Sequence, residues 1–240
     1  MAKTILVTGF PHSGTTILRA KIGECKNAFE HTTESHGIAI NANNKKYDFE
    51  VCKTPAIPTE FRNDTFSIKA GIEKYKDTII IPIIRNPWYI FTSLHKRGLQ
   101  SGEFSIYDSR QLHSFSWFDN AAHVISDAFD NNYDNVYPIR YEDMFENNFE
   151  KLKEIFQKIG LEYDNSIFES RTKNYIHNNY TYIDGYDKHD KQNGSYRAWQ
   201  INQPFKNMNT EVNIPDDFSE ILKSSPNIKK LGYSDPRITD

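Results

Sequence analysis

Four short apolar runs stand out from a chain that is otherwise polar. Ile5-Leu6-Val7 ends at Gly9, and Phe49-Glu50-Val51-Cys52-Lys53 is closed by Thr54-Pro55. Thr78 to Ile84 is apolar after its first residue, and Val136 to Tyr141 stops at Glu142-Asp143. Runs this short, bounded by glycine, proline or acidic residues, predict buried strands rather than helices. The isoleucine-rich run has the continuous pattern of a central parallel strand, although Pro82 removes one ladder donor from it.

Between these runs the spacing changes to three and four residues. Ile17, Leu18 and Ile22 predict a helix over Thr15–Gly23. A short helix is expected over Ser67–Lys76, and another from Pro87 to about Arg97, with Trp88, Phe91 and Leu94 inward. Leu112, Phe115, Phe118, Ala122, Ile125 and Phe129 predict a long amphipathic helix over Ser109–Asn131. Leu152, Ile155, Phe156 and Ile159 predict one ending at Gly160, and Pro215–Ser224 a last short one. Phe29 to Asn44, with His31, Glu34 and His36, reads as a polar loop. Strands alternating with helices predict an α/β fold, a three-layer sandwich around a mainly parallel sheet. Ligands of such sheets bind at the carboxyl ends of the strands, here Gly9–Gly14, Lys53–Pro55, Arg85–Pro87 and Tyr141–Asp143.

Bulk properties narrow the picture. The 240 residues suit one domain spanning 1–240, with a long segment at 175–205 expected to be mobile and to order over a ligand. A net charge of −3 speaks against a general nucleic-acid binder. No apolar stretch approaches the ~20 residues of a membrane span, and no signal peptide is recognised. Two cysteines, Cys25 and Cys52, imply a reducing, cytoplasmic setting or buried thiols, and no metal site is expected from them.

The chemistry concentrates at Gly9-Phe10-Pro11-His12-Ser13-Gly14-Thr15-Thr16. A strand, a glycine-bearing loop and a helix start form an anion cradle, because the first helical N–H groups lack intrahelical partners and carry the positive end of the dipole. The loop is not a Walker A motif, since the lysine after the second glycine is absent. No apolar run ends in an aspartate to hold magnesium; Ile79–Ile84 ends in Arg85. ATP or GTP hydrolysis is therefore disfavoured.

Four stretches together resemble the sulfotransferases that use phosphoadenosine phosphosulfate (PAPS). The loop above is similar to their 5′-phosphosulfate loop. Ile83-Ile84-Arg85-Asn86-Pro87 followed by Ser93 is similar to their 3′-phosphate motif. Tyr141-Glu142-Asp143-Met144 resembles their Tyr-Glu-Asp segment, and Gly194 to Phe205 loosely resembles their cofactor-closing loop. The resemblance implies a P-loop-like sulfotransferase fold, with PAPS as donor and adenosine 3′,5′-bisphosphate as product. It implies 5′-phosphate contacts from Pro11, His12, Ser13, Gly14, Thr15 and Thr16, and 3′-phosphate contacts from Arg85 and Ser93. Tyr141 would lie beside the adenine, and Lys191 or Arg197 would add a cation.

Two departures from the family pattern concern the reacting atoms. His12 stands where most members carry lysine or arginine; as a histidinium it would hold charge on the departing phosphate. Pro55 follows Lys53-Thr54 where cytosolic members have a catalytic histidine. Glu34 lies at the distance from the loop at which heparan N-sulfotransferases place a glutamate base, so the expected base is Glu34, with His36 and His31 behind it and Lys53 at the sulfuryl group. The acceptor is expected to be a small molecule or carbohydrate with a hydroxyl or amine. A P-loop kinase-like phosphotransferase and a non-catalytic nucleotide-binding relative are the competing readings. Oligomeric state is not written in the sequence.

Overall fold

In a computed structural model the described residues are 2–34, 46–54, 68–74, 76–101, 109–169 and 204–238. Five strands form one parallel sheet: β1 (Lys3–Thr8), β2 (Ala28–Glu34), β3 (Phe49–Thr54), β4 (Ile79–Ile84) and β5 (Ile139–Arg140), in the order β2-β3-β1-β4-β5. The helices are α1 (Thr15–Ile22), α2 (Ile68–Lys74), α3 (Pro87–Ser101), α4 (Ser109–Asp130), α5 (Glu150–Ile159), α6 (Asp216–Ser224) and α7 (Pro226–Lys230).

Alternate residues of the central strands feed two separate cores. Leu6, Cys52, Ile80 and Ile84 pack with Phe91, Phe118 and Phe218 of α3, α4 and α6. Ile5, Val7, Val51, Ile79, Ile81 and Ile83 pack with Leu18, Ile22, Leu152 and Phe156 of α1 and α5. The unbroken apolar runs of β1 and β4 follow from this, because both faces of the sheet are covered. The result is a three-layer α/β fold.

Three local expectations change. Residues 28–34 form the edge strand β2 rather than a loop. Its inward Glu30 is buried and paired with Arg19 of α1, at 3.0 Å. A strand whose inner face carries a charge has no apolar alternation to read. The fourth sequence run shrinks to Ile139–Arg140, with a single bridge at Val136. Ile80 and Ile84 bond this stretch through Asn135 O, Tyr137 N and Tyr141 N, so Pro82 between them omits a rung. Finally, α3 runs through Gly98 to Ser101, beyond Arg97.

The chain leaves β1 toward β2 and leaves β4 toward β5. The sheet therefore divides between the carboxyl ends of β1 and β4, where a crevice opens in such folds. No helix among the described residues is long and apolar enough to cross a membrane. Cys25 and Cys52 are both buried and unbridged, and burial pushes each thiol up to about 12.

Candidate functional site

The crevice is walled by two glycines on one side. At Gly9 a Cβ would meet the Ile83 carbonyl oxygen at 2.3 Å, so only glycine lets the end of β1 lie this close to β4. Gly14 has φ +97° and a Cβ there would lie 2.6 Å from the Tyr141 ring. Between them the chain turns sharply, with Ser13 N–H donating to Phe10 O and His12 in the left-handed region at φ 69°.

Helix α1 starts from this turn. Its first intrahelical bond runs from Leu18 N to Gly14 O, so the N–H groups of Thr15, Thr16 and Ile17 precede any intrahelical acceptor. No acidic side chain sits in that first turn. Thr15 and Thr16 are buried, Pro11 and His12 half-buried. The Ser13 hydroxyl is fully buried and has no hydrogen-bond partner among the described residues. An orphaned buried hydroxyl at a helix start is a costly feature for a turn that binds nothing.

Arg85 comes to the same crevice from the end of β4. Its Nη1 donates to His12 O at 3.2 Å, its Nη2 to Met208 O at 3.3 Å and its Nε to Asn209 Oδ1 at 2.9 Å. The guanidinium lies 4.4 Å over the Tyr141 ring. Arg85 is 8 % exposed, and no carboxylate among the described residues pairs with it. Asn86 then caps α3, its side chain accepting from Trp88 N at 3.0 Å, with Pro87 at the first helical position.

Nearly two turns into α3, Ser93 Oγ lies 2.7 Å from His12 Nδ1. The loop, the strand end and the helix thus meet through His12, whose carbonyl holds Arg85 and whose ring holds Ser93. Tyr141 is the common wall, touching Gly14 on one side and Arg85 on another, with its hydroxyl accepting from Met208 N at 3.1 Å. The ring is 2 % exposed, with the Arg85 guanidinium against it. Burial pushes its phenol up, against the lowering effect of Arg85.

The residues expected to serve the acceptor are placed in part. Lys53 is buried near the end of β3, in register with Val7 of β1 and Glu34 of β2. Between Glu30 and Glu34, β2 takes four steps where β3 takes two, an irregularity that sets Glu34 beside Lys53. Nothing is described of the Glu34 side chain. His36, Lys191 and Arg197 lie outside the described residues, as does segment 175–205 apart from its last two positions. His31 sits 2.6 Å from the buried Glu50. Among the described residues no cluster of three side chains suits a metal ion.

Sequence reading passed over Asn209, Met208 and the part played by Glu142. Glu142 accepts from Asn86 N at 3.1 Å, from Tyr233 OH at 3.1 Å and from Asn209 Nδ2 at 3.4 Å. Its place in the Tyr-Glu-Asp segment marked Glu142; nothing marked Asn209, which stands in the unpatterned run Lys206-Asn207-Met208-Asn209.

No protein-family model matches the chain, and neither does any curated protein. Among solved structures, the chain is similar to a sulfotransferase domain from the curacin biosynthetic pathway, at 12 % identity and a TM-score of 0.52, covering 98 % of this chain and 99 % of that one. It is also similar to the sulfotransferase domain of the Synechococcus PCC 7002 olefin synthase, at 13 % identity and a TM-score of 0.53, covering 98 % and 96 %. The fold is sulfotransferase-like.

Proposed function

We propose that this chain is a single-domain enzyme that moves a sulfuryl group from PAPS to a hydroxyl or amine of a small-molecule or carbohydrate acceptor. The observation that carries this reading is Arg85, a nearly buried guanidinium held on the carbonyl of the anion-cradle loop with no carboxylate among the described residues to balance it. A buried charge without a counter-charge is expensive, and a phosphate bound in the crevice would be the missing anion. The orphaned Ser13 hydroxyl supports a second anionic group at the other end of the same crevice. Two separated anion positions suit a nucleoside carrying phosphates on both its 3′ and 5′ carbons.

In this reading the backbone of residues 12–16, apart from the Ser13 N–H that already donates to Phe10 O, and the hydroxyls of Ser13, Thr15 and Thr16 hold the 5′-phosphate, while Pro11 and Gly14 shape the turn. Arg85 and Ser93 hold the 3′-phosphate; arginine suits that task because its planar fork donates two bonds to one phosphate. Lys191 or Arg197 adds a cation from the closing segment. The donor supplies a sulfuryl group whose sulfur–oxygen bond to the 5′-phosphate breaks as sulfur bonds to the acceptor oxygen or nitrogen. His12, as a histidinium, steadies the charge that collects on the leaving phosphate, and Lys53 orients the sulfuryl oxygens. Glu34 takes the acceptor's proton, with His36 next in line.

Calorimetry with adenosine 3′,5′-bisphosphate against ADP tests the donor. A strong preference for the bisphosphate, erased in Arg85→Ala, is the expected result; equal binding of the two overturns the reading. Turnover that needs no magnesium separates it from a kinase. The rate is expected to fall on the alkaline side as His12 loses its proton, and His12→Lys is expected to remove that decline. Glu34→Gln with near-normal turnover would retire Glu34 as the base.

A further inference from the structure

Arg85 has five N–H donors, and three of them are engaged by His12 O, Met208 O and Asn209 Oδ1. Two are left unengaged by the described residues, one on each terminal nitrogen. What keeps them available is the arrangement behind the guanidinium. Glu142 is the nearest carboxylate in the network, and Asn209 stands between it and the arginine. The Asn209 amide accepts from Arg85 Nε at 2.9 Å with its oxygen and donates to Glu142 Oε1 at 3.4 Å with its nitrogen. A donor on one side and an acceptor on the other allow only one orientation of that amide.

We propose that Asn209 is a positioning residue that determines specificity for the 3′-phosphate, by holding Glu142 away from Arg85 and so keeping the guanidinium charge and two of its donors for the ligand. The inference rests on the donor reading above. Glu142 is restrained by Asn86 N–H, on the same Oε1 that Asn209 reaches, and by the Tyr233 hydroxyl on Oε2, so it is held within one amide's reach of the cation without pairing with it. A direct contact would make a carboxylate–guanidinium pair, among the strongest hydrogen-bonded pairs available, and would compete with a phosphate for the same nitrogens. An amide in that position satisfies Nε without neutralising the charge. Burial magnifies the difference, because a charge pair closed in a low-dielectric crevice is hard for a ligand to reopen.

The test is a ratio: the affinity for adenosine 3′,5′-bisphosphate over that for adenosine 5′-monophosphate, two nucleotides that differ by the 3′-phosphate alone. Both are measured by calorimetry on one sample, so a change in folded fraction cancels. Asn209→Asp, which puts a carboxylate directly on Nε, is expected to lower the ratio at least about tenfold. Asn209→Ala, which lets Glu142 close on the arginine, is expected to lower it by about fivefold to tenfold. The deciding variant is the double change Asn209→Ala with Glu142→Gln. With no carboxylate left to close, the ratio is expected to recover most of what the single change lost.

An unchanged ratio in Asn209→Ala overturns the proposal. So does a double variant that loses more than either single change, since additive losses are what a merely structural contact gives. If the unaltered protein shows no preference for the bisphosphate, the donor reading falls and this role falls with it. If the preference is present in the unaltered protein and in Asn209→Ala alike, only this role is lost.

Discussion

Arg19 and Arg85 are both buried, and they are treated in opposite ways. Arg19 lies under the sheet edge on α1, fully buried, with its Nε donating to Glu30 at 3.0 Å. Arg85 lies on the sheet's upper rim, 8 % exposed, with neutral acceptors only among the described residues. A cation whose counter-charge is built into the chain serves the fold. A cation provided with carbonyls, an amide and an aromatic face, but no carboxylate among the described residues, fits the charge from outside that we propose for it. The contrast separates two uses of one residue type that burial alone would not distinguish.

The sharpest way to break this contrast is Arg19→Ala. It strands the buried Glu30 carboxylate and is expected to cost about 3–5 kcal/mol of stability by chemical denaturation. Its preference for adenosine 3′,5′-bisphosphate should stay intact; loss of preference without loss of stability would reverse the two roles. Arg85→Ala should do the converse, losing about 3 kcal/mol of bisphosphate binding through two charged hydrogen bonds while the melting curve moves little. Gly14→Ala probes the wall the two anion positions share. With φ +97° and the Tyr141 ring 2.6 Å from the new methyl, about 2 kcal/mol of stability and part of the preference should fall together. The smallest effect is expected at Ser13→Ala. Removing an orphaned buried hydroxyl should leave the ligand-free protein as stable or about 1 kcal/mol more so, yet weaken nucleotide binding about fivefold. A loss of stability there would mean that the hydroxyl already serves the fold.

Much of the frame was legible. The apolar runs of β1, β3 and β4 and the three- and four-residue spacings of α1, α4, α5 and α6 place those elements within a few residues of their bounds. β2 was hidden for a specific reason: its buried inner position is Glu30, satisfied by Arg19 from another element, and a salt bridge leaves no periodicity behind. β5 read too long because Pro82 cancels a rung that lies on its partner strand, not on itself. Gly98 read as a helix end, yet α3 continues through it, an exception that costs about 1 kcal/mol against alanine.

The site divides along the same line. His12, Arg85 and Ser93 each carry a local motif, so their residue types could be singled out. That Arg85 bonds a carbonyl 73 positions away, and that His12 reaches Ser93 across 81, depends on the order of the strands and on Gly9 admitting β4. Asn209 could not be found at all. It lies in a stretch without pattern, in a chain where asparagine is common enough to carry no signal, and its meaning comes only from what stands on either side of it.

Pro82 leaves the seam between β4 and β5 one rung short, and the last residues of the described chain make up the deficit. Arg140 clasps Leu231 O through two nitrogens, and the Tyr233 hydroxyl bonds Ile84 O from across the rim. The outermost strand is therefore tethered from outside the sheet as much as from within it. In deuterated water, amides of β5 should lose their protons sooner than those of β1, and trimming the chain before Leu231 should hasten that loss further. Tyr141 follows β5 directly, so the stance of the arginine is braced by a stretch nearly a hundred residues downstream that never touches the glycine turn.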